Sequence, residues 1–405
     1  MHTQAFTPRP ANSAVITQVP ALPTLPTLPG TAPDAPCRGL DDIFQEMQSC
    51  QREAPQPPTL TPELREACRV AVNEAYALND ISHPAVAELR RLSLARATRL
   101  CSAGMFVPQP ILGPDELYPD LNPDSWDRPL FPEEMLRQAV DLTPAPAAAR
   151  RLVAELDNPR SGPGRLAEII DQHPHLSDLL LALANSQAYA LPSPVQTTQR
   201  AVIFLGYREL RALILGLDGL IQFRGQDESE ADPFIWRRAL ACGFASRMLA
   251  ARLGLRGGRY VAAGLLHDAG RFIMRQTLPR HATQAARMAL GSVTGLSECE
   301  REIMGVDGPT LGGRLLARWQ MPEPLAELVA LRNTPREAED DRAASLLHVA
   351  ALAARALDAG QPGALRLPTL DTQAWTRTGL RQHDLAETFM AASEELEGVS
   401  PLLSR

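Results

Sequence analysis

Gly264-Leu265-Leu266-His267-Asp268-Ala269-Gly270 is the stretch on which the reading of the fold turns. An imidazole and a carboxylate sit side by side after an apolar run, with a glycine on each flank. A residue without Cβ at both ends predicts neighbouring helices packed closely on either side. Outward from this stretch, Trp236 precedes it, and Glu302-Ile303-Met304-Gly305, Gly312, Leu315, Leu316, Trp319 and Met321-Pro322 follow. Further upstream come Leu166 to Asp171, then Leu179 to Ala184 ending in Asn185-Ser186, then Thr197 running through Ala201 to Leu205-Gly206. Asn185 and Ser186 can hydrogen-bond backbone groups freed where a helix ends. Gly206 can close the next helix without a Cβ penalty.

Apolar spacing is helical throughout 147–358, in segments punctuated by Gly and Pro, with no strand alternation. Thr61-Pro62-Glu63 forms a helix start, and Leu64 to Leu78, then Pro84 to about Ala103, predict a helical hairpin over 61–105. Residues 1–60 carry eleven of the 36 prolines and read as a disordered arm, with Leu40 to Cys50 as a short amphipathic exception. Residues 106–146 read as a Pro-rich irregular connector, and 359–405 as a linker followed by one amphipathic helix over about 378–396. The expected fold is all-α.

With these motifs in this order, residues 147–335 resemble an HDOD domain, a bacterial signalling domain related to the HD phosphohydrolases. The resemblance implies a multi-helix, HD-like bundle. Asn185, Ser186, Gly206, Trp236, Gly264, Gly270, Trp319 and Pro322 match its structural signature. An HD enzyme holds a divalent metal with an early-helix His, the adjacent His-Asp pair and a late-helix Asp, and the metal activates a water. His267 and Asp268 supply two of those ligands. The early position is Arg238, a fixed cation. Where relatives carry further histidines, this chain reads Val306-Asp307-Gly308-Pro309 and Arg332-Asn333, and no acid occurs around Ala350 to Ala353. Asp358 falls about 15 Å beyond His348 along a helix axis, out of reach of a shared metal. His267 and Asp268 are therefore expected to be vestigial, with no catalytic residue, no metal and no cofactor; His348 is the one substitute ligand in view.

Composition narrows the function classes. All 40 cationic residues are Arg, and the 405-residue chain has no Lys, which excludes a Walker phosphate loop, a protein-kinase ATP site and any Schiff-base enzyme. A net charge of −7 disfavours duplex nucleic acid. The six cysteines form no Cys-x-x-Cys pair, and no apolar run is long enough to span a bilayer, so a cytoplasmic protein without membrane partners is expected. His383-Asp384 lacks flanking glycines and reads as coincidence. His173 and His175 suit a turn or cap, Trp236 and Trp319 suit core, and Gly257-Gly258 suits a turn. The leading reading is a non-enzymatic signalling module that binds regulatory proteins or a small phosphorylated ligand. One alternative is a metal-dependent phosphohydrolase of nucleotides or cyclic dinucleotides using His267 and Asp268. The other is a nucleotide binder without catalysis, using Arg208, Arg211, Arg237 and Arg238, since guanidinium forks suit phosphate.

Overall fold

A computed structural model describes residues 61–108, 132–142, 147–186, 189, 193–221, 233–255, 258–291, 294–361 and 364–403. The arm at 1–60 with its Leu40 to Cys50 stretch, most of the 106–146 connector, and Gly257 lie outside them. Among the described residues all regular structure is helical, with no strand.

The first two helices are α1 (Pro62–Ala75) and α2 (Pro84–Ser102). Thr61 caps α1 by accepting the Leu64 N–H, and proline opens both helices, where its missing N–H costs nothing. The hairpin does not stand alone. The Ser93 hydroxyl meets the Tyr76 hydroxyl and donates to the Ala356 carbonyl at 2.8 Å, and Leu367 N–H donates to the Ala75 carbonyl at 2.8 Å. Arg96, buried, pairs with Glu397 at 2.8 Å.

The connector contains a helix that its prolines hid. This is α3 (Pro132–Leu142), which buries Met135 and Leu136. Pro132 stands at its first position and Glu133 and Glu134 occupy the positive dipole end, so the proline marks a start and not an irregularity.

Next come α4 (Ala147–Leu156), α5 (Pro163–Asp171), α6 (Pro174–Ala184) and α7 (Thr198–Ile221). His173 takes the capping position of α6, yet its side chain makes no cap bond. Asn185 instead clasps the following loop, accepting from Val195 N at 2.8 Å and donating to Val195 O at 2.9 Å. Ser186 is buried. α7 breaks at Gly206 (φ 74°, ψ 161°), a conformation that side-chain-bearing residues rarely adopt.

The centre of the bundle is α8 (Pro233–Arg252) and α9 (Gly258–Leu266), packed on α7 and, from the other side, on the later helix Asp341–Ala356. A Cβ at Gly264 would lie 2.5 Å from the Cys242 carbonyl oxygen, so α8 and α9 touch backbone to backbone there. After α9 follow α10 (Ala269–Thr277), α11 (Pro279–Gly291), α12 (Leu296–Met304), α13 (Gly308–Arg318), α14 (Glu323–Ala330) and α15 (Asp341–Ala356). Trp319 is buried behind α13, Trp236 is half-buried against the core, and Pro322 leads into α14 from the surface.

The tail forms two helices where one was expected: α16 (Thr372–Thr378) and α17 (Gln382–Leu403). Gly379, at φ 69°, ends the first, and Asp384 receives the Arg381 backbone and guanidinium N–H groups to start the second. Asp384 is thus a local cap, remote in role from Asp268.

Candidate functional site

His267 and Asp268 form the junction between α9 and α10. Asp268 occupies the capping position of α10, where a carboxylate ordinarily accepts N–H bonds from the first turn, but this side chain makes no such bond. It is turned inward, is buried, and meets five groups from four directions. Arg332, just after α14, donates to Oδ1 at 2.8 Å, and Arg271 of α10 donates to Oδ1 at 3.1 Å. Oδ2 faces Arg238 of α8 at 3.6 Å, Arg355 of α15 at 3.7 Å and His267 Nε2 at 3.5 Å, with no hydrogen-bond partner of its own. Burial would push the carboxyl up, but the neighbouring His267, Arg271, Arg332 and Arg355 outweigh it and hold Asp268 well below the usual carboxylate range.

The cluster is braced from outside. Arg271 also donates to Glu300 at 2.7 Å and to Ser297 Oγ at 3.0 Å, and Glu300 accepts the Gly308 N–H that opens α13. Arg332 donates to the His267 carbonyl. The Arg355 guanidinium is pushed down to about 9, by burial first and then by repulsion from Arg238. Asp358 is buried, and burial raises it despite the pull of Arg238, Arg237 and Arg355. Asp358, expected to lie beyond reach of a metal shared with His348, faces Arg237 at 3.8 Å.

Both histidines are fixed in neutral form. The His267 Nδ1–H donates to the Gly264 carbonyl at 2.7 Å, and burial pushes the ring down to about 4. His348 Nδ1–H donates to the Arg332 carbonyl at 3.0 Å while its Nε2 accepts the Asp371 N–H at 3.0 Å, and burial lowers it too. With both ring nitrogens engaged, His348 has no lone pair to offer as a substitute ligand.

Stability should therefore fall with acid. The unfolded chain protonates His267 below pH 6.5 whereas the folded ring stays neutral to about pH 4, so unfolding takes up protons across that window. The loss amounts to about 2 kcal/mol by pH 5 and about 3 kcal/mol by pH 4, with His348 adding in the same sense. Urea midpoints between pH 7 and pH 5 measure it, and His267→Gln should flatten the curve.

A divalent metal fits this arrangement poorly. His267 Nε2 and Asp268 Oδ2 are suitable donors, but among the described residues no group of three His, Cys, Asp or Glu side chains converges anywhere. Two unit charges at 4 Å interact by about 4 kcal/mol at an effective dielectric near 20, and a dication doubles that against every guanidinium at the pair. The arginines stand where a cation would otherwise balance Asp268.

Of the four arginines read as phosphate binders, Arg237 and Arg238 belong to this cluster. Arg211 pairs with Asp157 and Arg208 is exposed on α7; neither is among the groups around Asp268. Arg271 and Arg332 hold Asp268 by hydrogen bonds and Arg355 faces it at 3.7 Å, roles that sequence reasoning alone does not give them. Two signals existed: Arg271 stands three residues after Asp268, one helical turn on, and Arg355 interrupts a run of alanines and leucines.

The fold and the buried His-Asp junction define an HD-related helical domain. Residues 142–335 match the family model of the HDOD domain. Its fold is similar to that of an HDOD domain protein of unknown function from Geobacter sulfurreducens (19% identity, TM-score 0.54, covering 66% of this chain and 97% of that one). It is also similar to a protein provisionally named a phosphohydrolase from Shewanella amazonensis SB2B (24% identity, TM-score 0.50, covering 65% and 98%). No curated protein matches the sequence. Among the described residues no helix is long and apolar enough to cross a membrane.

Proposed function

We propose that this HDOD protein is a non-enzymatic signalling module that works in the cytoplasm by binding a regulatory protein or a small phosphorylated ligand. The observation that carries this reading is the arginine cage: a carboxylate held by Arg238, Arg271, Arg332 and Arg355 is poorly suited to grip a dication and generate a hydroxide. At neutral pH all four guanidiniums keep their protons, so none gives up its charge to make room for a metal. Two further features favour contact over catalysis. Ile203 (59% exposed), Phe204 and Tyr207 (each 42%) crowd the break in α7, leaving an apolar patch of a kind that marks interaction surfaces. The four described cysteines are buried and form no disulfide with one another, in keeping with a reducing compartment.

The test is hydrolysis by the full chain of a panel of nucleoside monophosphates and cyclic dinucleotides, each with Mn²⁺, Fe²⁺ or Mg²⁺. The expected result is no product above the buffer rate with any metal. Turnover that disappears in His267→Ala would establish the phosphohydrolase alternative instead.

A further inference from the structure

A cavity of about 410 Å³ opens beside the arginine cage, within the size range of small-molecule sites. Its walls come from the first turn of α12, from Asn333 and Thr334 after α14, from Arg355, and from the stretch Leu365 to Thr369. A smaller cavity of about 40 Å³ shares Arg271, Leu296, Arg355 and Leu365 with it and reaches Asp268 and Arg238.

Arg355 is the group that needs explaining. It is only 7% exposed, yet it donates no hydrogen bond among the described residues, and its closest carboxylate oxygen is 3.7 Å away on Asp268. That carboxylate already serves Arg332 and Arg271 at hydrogen-bond distance. A guanidinium carries five N–H donors, and a buried one without acceptors is costly. Arg355 lines both cavities.

The opposite wall offers donors as well. Ser297 Oγ accepts from Arg271 at 3.0 Å and from Asn333 at 2.8 Å, which leaves its own proton to donate elsewhere. Ser297 lies in the first turn of α12, where backbone N–H groups and the helix dipole favour an anion. Arg301 and Arg366 stand on the rim, against Glu298 as the one carboxylate of the lining.

We propose that this cavity binds a small phosphate-bearing anion, with Arg355 as the buried counter-charge and Ser297 and the first turn of α12 as hydrogen-bond donors. The proposal deepens, and rests on, the reading of the domain as a binding module. It differs from the sequence-based set of phosphate arginines, because Arg208 and Arg211 have no part in it.

Calorimetric titration of the full chain with inorganic pyrophosphate, and separately with orthophosphate, tests it. The expected result is saturable one-to-one binding of pyrophosphate, weakened at least tenfold in Arg355→Met and in Ser297→Ala, and unchanged in Arg69→Gln on α1. Arg355→Met removes a buried charge and should fold; circular dichroism checks this, and Ser297→Ala carries the test if it does not. No saturable binding at millimolar pyrophosphate, or equal binding by Arg355→Met and Ser297→Ala, would overturn the site while leaving the non-enzymatic reading intact. Binding accompanied by release of orthophosphate would overturn that reading and leave the site standing.

Discussion

Asp268→Asn is expected to destabilise the protein by about 4 kcal/mol or more, a large share of the stability of an ordinary domain. The substitution keeps shape and one acceptor oxygen but removes the charge that Arg332 and Arg271 bond at Oδ1 and that Arg238 and Arg355 face at Oδ2. Breaking a buried ion pair by deleting one partner strands the other, and here four cations are affected together. Urea unfolding followed by circular dichroism reads the effect as a lower midpoint at unchanged slope. Adding Arg332→Met to Asp268→Asn should recover part of the loss, since the most buried stranded cation is then gone; a double-mutant cycle gives the coupling. A loss below about 1 kcal/mol for Asp268→Asn would mean that the arginines are balanced by other groups.

Gly270→Ala is the second large effect. An added Cβ would lie 2.0 Å from the Gly308 carbonyl oxygen and 2.4 Å from the Gly312 backbone nitrogen, both in α13. Neither is the end of a flexible side chain, so α10 and α13 must separate, and the Arg271–Glu300–Gly308 bracing separates with them. Overpacking of this severity costs about 3 kcal/mol or more. Gly162→Ala is the matched control: nothing lies within 4 Å of its Cβ, and a glycine cap replaced by alanine changes stability by less than about 1 kcal/mol. Equal stability of the two variants would refute the close-contact account.

The glycines and the His-Asp junction were legible in the sequence because their roles are local. Gly264 and Gly270 bracket the pair at a spacing that only close helix packing explains, and Gly206 signals a backbone break whatever surrounds it. The cage was not legible, because its members come from α8, α10, the end of α14 and α15, spread over more than a hundred residues. An arginine reads the same in sequence whether water or Asp268 receives it. The partner of Asp358 was not legible either: distance along a helix axis from His348 says nothing of which neighbouring helix lies across from it, and that neighbour supplies Arg237. The helix at Pro132–Leu142 was hidden by prolines that elsewhere punctuate loops.

The charge of Asp268 is balanced by guanidinium groups. Elemental analysis of the purified full chain, after growth with and then dialysis against iron, manganese and zinc, addresses this directly. The expected content is well under one equivalent of any of them per chain, the same in wild type and in His267→Ala. One equivalent of a transition metal per chain, lost in His267→Ala, would contradict it.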